Sequence, residues 1–528
     1  MNLIRKSLFF AAATAFGMSG AFAVNWVYDN SLPGASTDMK WSATIGTADT
    51  PGYWKNSETG EYMQGSFSPT DSFSAGDDTY TQYVRIYLDS DVSIGSLYIS
   101  GNGWDNQPRF FGEEYKYGIT INGDLERSSS TFAGYLNRMK FVNITGNVTV
   151  MGSNFQIEAG TLNIGGKITG NEGTSIYLSL GSGTPTKSFD EGLATPDAVI
   201  GGVVDGAKLY QKANGRDTYL QLAGVSGSGG INREANPYGN TDNYTSYYIL
   251  ANTQDCTASG YIIESNNKSW KQDSGKASLV MNGTATQSFT GSQLMFQGGV
   301  TVISGTLKLN FAQDSGLYEH NYTYTNVNNR TKVTYFESKA DGAARTTFSH
   351  GDLDMRGGTF GADDSSGYGS FRLTNIKYSG GTVKLRLDGA DSHDSIDLTT
   401  YYAKLENIVE SSVESSNWET YAGGSIQFAE GANTMVFDFG ENLDWLIDAE
   451  GDGVKVIAWD EGKQGSLTSD NFSANTFSDE TGNLYEALFA VNGDGLYVKY
   501  VAVPEPATYA AMLGLLALSV AYWRRTRK

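Results

Sequence analysis

The stretch VNITGNVTVMGSNFQIEAGTLNI, Val142 to Ile164, constrains the fold more than any other part of the chain. It holds four apolar pairs, each with one residue between its members: Val142/Ile144, Val148/Val150, Phe155/Ile157 and Leu162/Ile164. Alternation puts both members of a pair on one face of a strand. The pairs advance by 6, 7 and 7 residues, with Gly or Asn in the gaps. Three steps therefore bring the chain back after 20 residues, the arithmetic of a parallel β-helix with three short strands per turn. Similar builds surround Ile119/Ile121, Val199, Leu220 and Leu279, and then GGVTVISGTLKL with Val300/Val302 and Leu307/Leu309/Phe311. Gly351 and Tyr378 open two more, while Gly227 to Asn243 reads as a polar excursion.

Composition agrees. The 528 residues include 64 Gly and only 9 Pro, with 12% aromatics, which suits many strands joined by tight turns rather than collagen or disorder. The fold class expected is all-β: a right-handed parallel β-helix, or β-solenoid, over residues 118–400. An N-terminal β cap over 24–117, rich in Trp26, Trp41, Trp54 and Trp104, precedes it. A C-terminal β-domain or set of closing strands over 401–503 follows. Cys256 is the only cysteine, so no internal disulfide is possible and the thiol reads as a passive buried group.

Both ends read as addresses. Residues 1–23 place Arg5 and Lys6 before a short apolar stretch and close on Ala21, Phe22 and Ala23, a secretory signal peptide with cleavage after Ala23. At the other end Pro504, Glu505 and Pro506 precede seventeen uncharged residues, Ala507 to Trp523, and then Arg524, Arg525, Arg527 and Lys528. The two prolines hold the peptide extended. The apolar run reads as a transmembrane helix with its basic flank on the cytoplasmic side. Without both ends the chain keeps 31 bases and 57 acids, a net charge of −26, which excludes nucleic acid as a partner.

The order of Val503 to Pro506, apolar run and basic cluster over residues 504–528 resembles the PEP-CTERM sorting signal of Gram-negative bacteria that make extracellular polysaccharide. The resemblance implies removal of the tail by an exosortase-type membrane enzyme. It also implies transient anchoring in the inner membrane, followed by transfer to the envelope surface or extracellular matrix. Leu279 to Phe311, and more loosely Gly351 to Leu398, resembles the autotransporter-associated β-strand repeat of bacterial surface passengers, which implies a displayed stalk. The chain departs from that family in ending on a basic tail instead of a translocator barrel.

No nucleophile elbow, metalloprotease signature, phosphate loop or dinucleotide fingerprint occurs. His320, His350 and His393 lack ligand spacing. Carboxylates are the remaining candidates. Asp352 and Asp354 share one strand face, with Arg356 beside them; Asp388, Asp391, Asp394 and Asp397 follow, with Arg386. Asp448, Glu450 and Asp452 alternate like Ca²⁺ ligands but lack the rest of a calcium loop. No cofactor is expected, with Ca²⁺ the one metal these oxygens would suit. The function expected is that of an exported, non-enzymatic surface or matrix protein with a structural or adhesive role. Exopolysaccharide or other surface glycans are its expected partners. The alternative is a polysaccharide lyase or glycosidase, which requires Asp352, Asp388 and Arg386 to converge in one groove.

Overall fold

The computed structural model describes residues 23–503 and 506–526, apart from 30, 34–37, 77–83, 101–107, 130–134, 153, 172–173, 181–186, 214–215, 235–243, 261, 265–275, 292–293, 295, 297, 313–317, 321–329, 336–350, 410–411, 442 and 448. Half of the chain is strand and 9% helix, so the protein is all-β, and most of its strand pairs are parallel. The 20-residue return is met in register: Val142 pairs with Leu162, and Val148 with Ile168.

Parallel pairing follows three lines. In one, Leu97, Leu125, Val148, Ile168, Val204 and Val225 are successive register partners, each at most 1% exposed. In a second, Ile86, Phe110, Leu136, Ile157 and Leu178 align. The third is the longest, from Ile119 through Val142, Leu162, Ala198, Leu220, Tyr248, Leu279, Val300 and Leu353 to Ile376 and Ile426. All these aligned side chains are buried in one apolar core. Each fully buried aliphatic contributes about 1.5–3 kcal/mol, so continuous stacking of like on like is the main source of cohesion. The long strands Tyr135–Ile144, Asn154–Ile164, Lys276–Phe289 and Val300–Leu309 each serve two lines, joining them into one sheet.

Parallel register extends from Asn25–Tyr28, paired with Ser72–Ala75, to Phe472–Ala474, on both sides of residues 118–400. Gly230–Glu234, read from sequence as part of a polar excursion, pairs with Lys208–Ala213. Both ends of the core are closed by aromatic clusters. At the first, Trp54 is fully buried, with Phe73 edge-on at 4.9 Å, Tyr28 at 5.1 Å and Trp41 at 5.9 Å. Its indole donates to the Thr44 hydroxyl at 3.0 Å, and Trp104 lies outside the described residues. At the second, Phe437, Phe439 and Phe472 pack against Phe489 of the antiparallel hairpin Leu484–Asn492/Gly495–Ala502. Tyr401–Val409 and Ser412–Tyr421 join Arg330–Tyr335 and Tyr318–His320 in a separate antiparallel sheet.

Spacing of the lines is fixed at a corner built from glycine. The amides of Gly146, Gly166 and Gly202 donate to the carbonyls of Gly123, Gly146 and Gly166 at 2.9–3.0 Å. A Cβ on any of the three would lie 2.6 Å from the carbonyl oxygen below, so a side chain cannot fit.

The tail is a helix, Pro506–Thr526. The expectation of a transmembrane helix is corrected: among the described residues, no helix is long and apolar enough to cross a membrane. The uncharged run is seventeen residues, roughly 25 Å of helix against the ~20 residues a bilayer core requires. Thr508, Tyr509, Ser519 and Tyr522 dilute it further. Leu513, Leu515, Leu516 and Leu518 are nevertheless 65–68% exposed.

Candidate functional site

Along the third line three residues point outward yet are buried: Tyr219, Ile249 and Val280. Their cover is a short helix, Phe189–Ala194, whose Phe189 and Leu193 pack on them together with Tyr247 and Ile303. Ser188 and Glu191 form a capping box at its start, satisfying amides that a helix end leaves open. A buried ionic cluster pins the segment behind it. The Arg216 guanidinium donates to both oxygens of Asp197 at 2.8 and 3.2 Å, Lys187 lies 3.3 Å away, and the Tyr219 amide donates at 3.0 Å. Burial, then Asp217 and Tyr247, push the Tyr219 phenol well above its ordinary range.

Beside this helix the outer sheet face forms a groove of about 490 Å³. Its wall is Phe189 and Tyr247, its floor carries Ser278 and Thr301, and its far side holds Asp352, Asp354, Arg356 and Lys377. Leu353 points into the core, so the flanking Asp352 and Asp354 both face outward, as the sequence spacing requires. Register then sets their partners. Asp354 aligns with Lys377 on the next strand and with Thr301 on the one before. Lys377 Nζ lies 2.7 Å from Asp352, which also accepts from Asn375 Nδ2 at 2.9 Å. The Asp352 carboxylate holds the Lys377 ammonium above its usual range. Arg356 spans the mouth: its Nε donates to Asp354 at 2.9 Å, its Nη1 to Asp190 on the helix at 3.1 Å, and its guanidinium covers the Phe189 ring at 5.2 Å.

The other expected candidates are elsewhere and occupied. Asp388 accepts from the Tyr368 hydroxyl at 2.6 Å, and Arg386 lies over the same ring. Arg386 also binds the fully buried Asp394 at 2.7 and 3.0 Å. Asp397 pairs with the buried Arg372. Asp352, Asp388 and Arg386 therefore do not converge. Among the described residues no group of three His, Cys, Asp or Glu side chains is placed to hold a metal. Asp448 and His350 lie outside the described residues, and Asp452 accepts from Asn492 at 2.9 Å. Cys256 is buried, its thiol pushed up by burial and then by Asp255.

Of the address residues, Ala21, Pro504, Glu505, Arg527 and Lys528 fall outside the described residues. Ala23 is exposed, Pro506 begins the tail helix, and Arg524 and Arg525 are exposed in its last turn. Sequence reasoning missed the covering helix and Tyr247, Lys276 and Lys377. The signal for the first was present: SFDEGLA carries the capping box, and YYIL and LVM are unbroken apolar runs, which mark strands buried on both faces.

No protein-family model matches the chain, and no curated protein matches it.

Proposed function

We propose that the protein is a β-solenoid of the bacterial surface or extracellular matrix, exported by residues 1–23 and sorted by the PEP-CTERM-like tail. There it serves as a structural or adhesive element. The observation that carries this reading is the parallel self-pairing from Asn25 to Ala474, closed by aromatic clusters at both ends. An elongated stack with closed ends remains soluble and offers a long side surface. The tail helix, with Leu513, Leu515, Leu516 and Leu518 exposed and Arg524 and Arg525 in its last turn, is suited to lie against the inner membrane while an exosortase-type enzyme acts on the Pro504–Pro506 peptide. The adhesive role is favoured over cleavage of a polysaccharide because each groove carboxylate is already tied to a cation.

The test is the intact mass and C-terminal peptide of the protein from inner-membrane, outer-surface and medium fractions. A form ending near Val503 to Pro506 outside the inner membrane is expected. Protein found only in the inner membrane and still carrying Arg524 to Lys528 refutes the sorting reading.

A further inference from the structure

We infer that the groove between the Phe189–Ala194 helix and the Leu353–Met355 strand is a binding site for an acidic polysaccharide, and that Lys276 is the residue that reads its carboxylate. This deepens the adhesive reading above by naming its ligand, and rests on that reading only for where the ligand is met.

Three features of the lining select the ligand class. First, its polar groups are mixed in kind: Thr245, Ser278, Thr301 and Thr374 carry hydroxyls, while the ion-paired Asp352 and Asp354, Lys377 and Arg356 keep further acceptor and donor capacity beside their pairs. A sugar hydroxyl is donor and acceptor at once and can add to such a mixture without breaking its ion pairs, whereas an aliphatic ligand would offer these groups nothing. Secondly, the wall is aromatic. Tyr247 is stacked on Tyr219 at 4.9 Å and held against Phe189 at 5.0 Å, so both rings are rigid before any ligand arrives. Thirdly, the groove crosses five strands, Thr245–Leu250, Lys276–Phe289, Val300–Leu309, Leu353–Met355 and Ile376–Tyr378. At ~4.8 Å between neighbours that is about 19 Å, the length of an oligosaccharide rather than of one sugar.

Charge selects within the class. Three bases and two acids line the groove, in a chain of net charge −21. Asp352 holds Lys377, and Asp354 with Asp190 holds Arg356. Lys276 is exposed and forms no ion pair among the described residues. It is the lining cation left to meet a carboxylate, the other two being matched by Asp352, Asp354 and Asp190.

The experiment uses the full chain in detergent, at 0.15 M salt and with chelator present so that no divalent cation bridges acid to acid. Binding of a galacturonic acid hexamer and of the matching neutral galactose hexamer is measured by calorimetry. The acidic oligomer is expected to bind at least about tenfold tighter. Lys276→Gln is expected to remove that preference while leaving the weak neutral binding in place, and Lys463→Gln, at an exposed site outside the groove, to change neither. Equal binding of the two oligomers, or an acidic preference that survives Lys276→Gln, overturns the proposal. So does a lack of binding to either. None of these outcomes depends on where the tail is cut, so the sorting reading stands or falls separately.

Discussion

At the scale of single residues, carboxylates in this protein organise local structure more than they offer chemistry. Asp479 is the clearest case. It accepts from the Thr481 hydroxyl at 2.8 Å, from Asn483 Nδ2 at 3.0 Å, from the backbone amides of Thr481 and Asn483 at 2.9 Å and from the Tyr485 hydroxyl at 3.1 Å. The Thr481 hydroxyl leads these donors, and together they hold the acid far below the usual carboxylate range. A depressed native value means the group favours folding above its unfolded value near pH 4, and loses that contribution as pH falls towards the native value. Wild type and Asp479→Asn should therefore converge in stability between about pH 4 and pH 2, measured by urea titration at each pH. A gap independent of pH would contradict the assignment. The sequence revealed part of this layer. That Asp352 and Asp354 share a face follows from their spacing, and they do. That Lys377 sits against Asp352 does not, because the neighbour is chosen by register across a 23-residue return that no local pattern encodes.

At the scale of elements, alternation worked where one face of a strand meets the core and failed where both faces are covered. Val148–Gly152 alternates and was legible; Tyr248, Ile249 and Leu250 form an unbroken apolar run because the Phe189–Ala194 helix covers the outer side. Glycine was legible as turn composition, but its structural reason is contact between successive turns of chain. Gly146→Ala puts a methyl 2.6 Å from the Gly123 carbonyl and 2.2 Å from the Asp124 carboxylate, so the Val148 and Leu125 strands must separate. The expected cost is about 1–3 kcal/mol by chemical denaturation, the range of overpacked sites. Gly493→Ala, where nothing lies within 4 Å, should stay within about 0.5 kcal/mol of wild type. Equal losses at both sites would mean that backbone freedom, and not contact, keeps glycine at the corner.

At the scale of the whole molecule, the periodic centre of the sequence foretold parallel returns, while their variable length did not follow from it. Val142 to Leu162 is 20 residues, but Val300 to Leu353 is 53, since the longer returns carry insertions whose composition is polar and aperiodic. Charge acts at this scale too. The formal charge is −21, and ion pairs such as Arg216 with Asp197 and Arg386 with Asp394 are buried and little screened. Exposed acids such as Asp49, Glu58 and Glu480 lie on the surface, where mutual repulsion opposes the folded state and is screened within about 10 Å at 0.1 M salt. Added sodium chloride should therefore raise the urea midpoint, with most of the gain complete by about 0.15 M and no change in the slope of the transition. A midpoint that falls with salt would show that exposed pairs such as Lys377 with Asp352 outweigh the repulsion. The groove would then owe its shape to attractions that salt removes, and its affinity for an acidic glycan would fall along with stability.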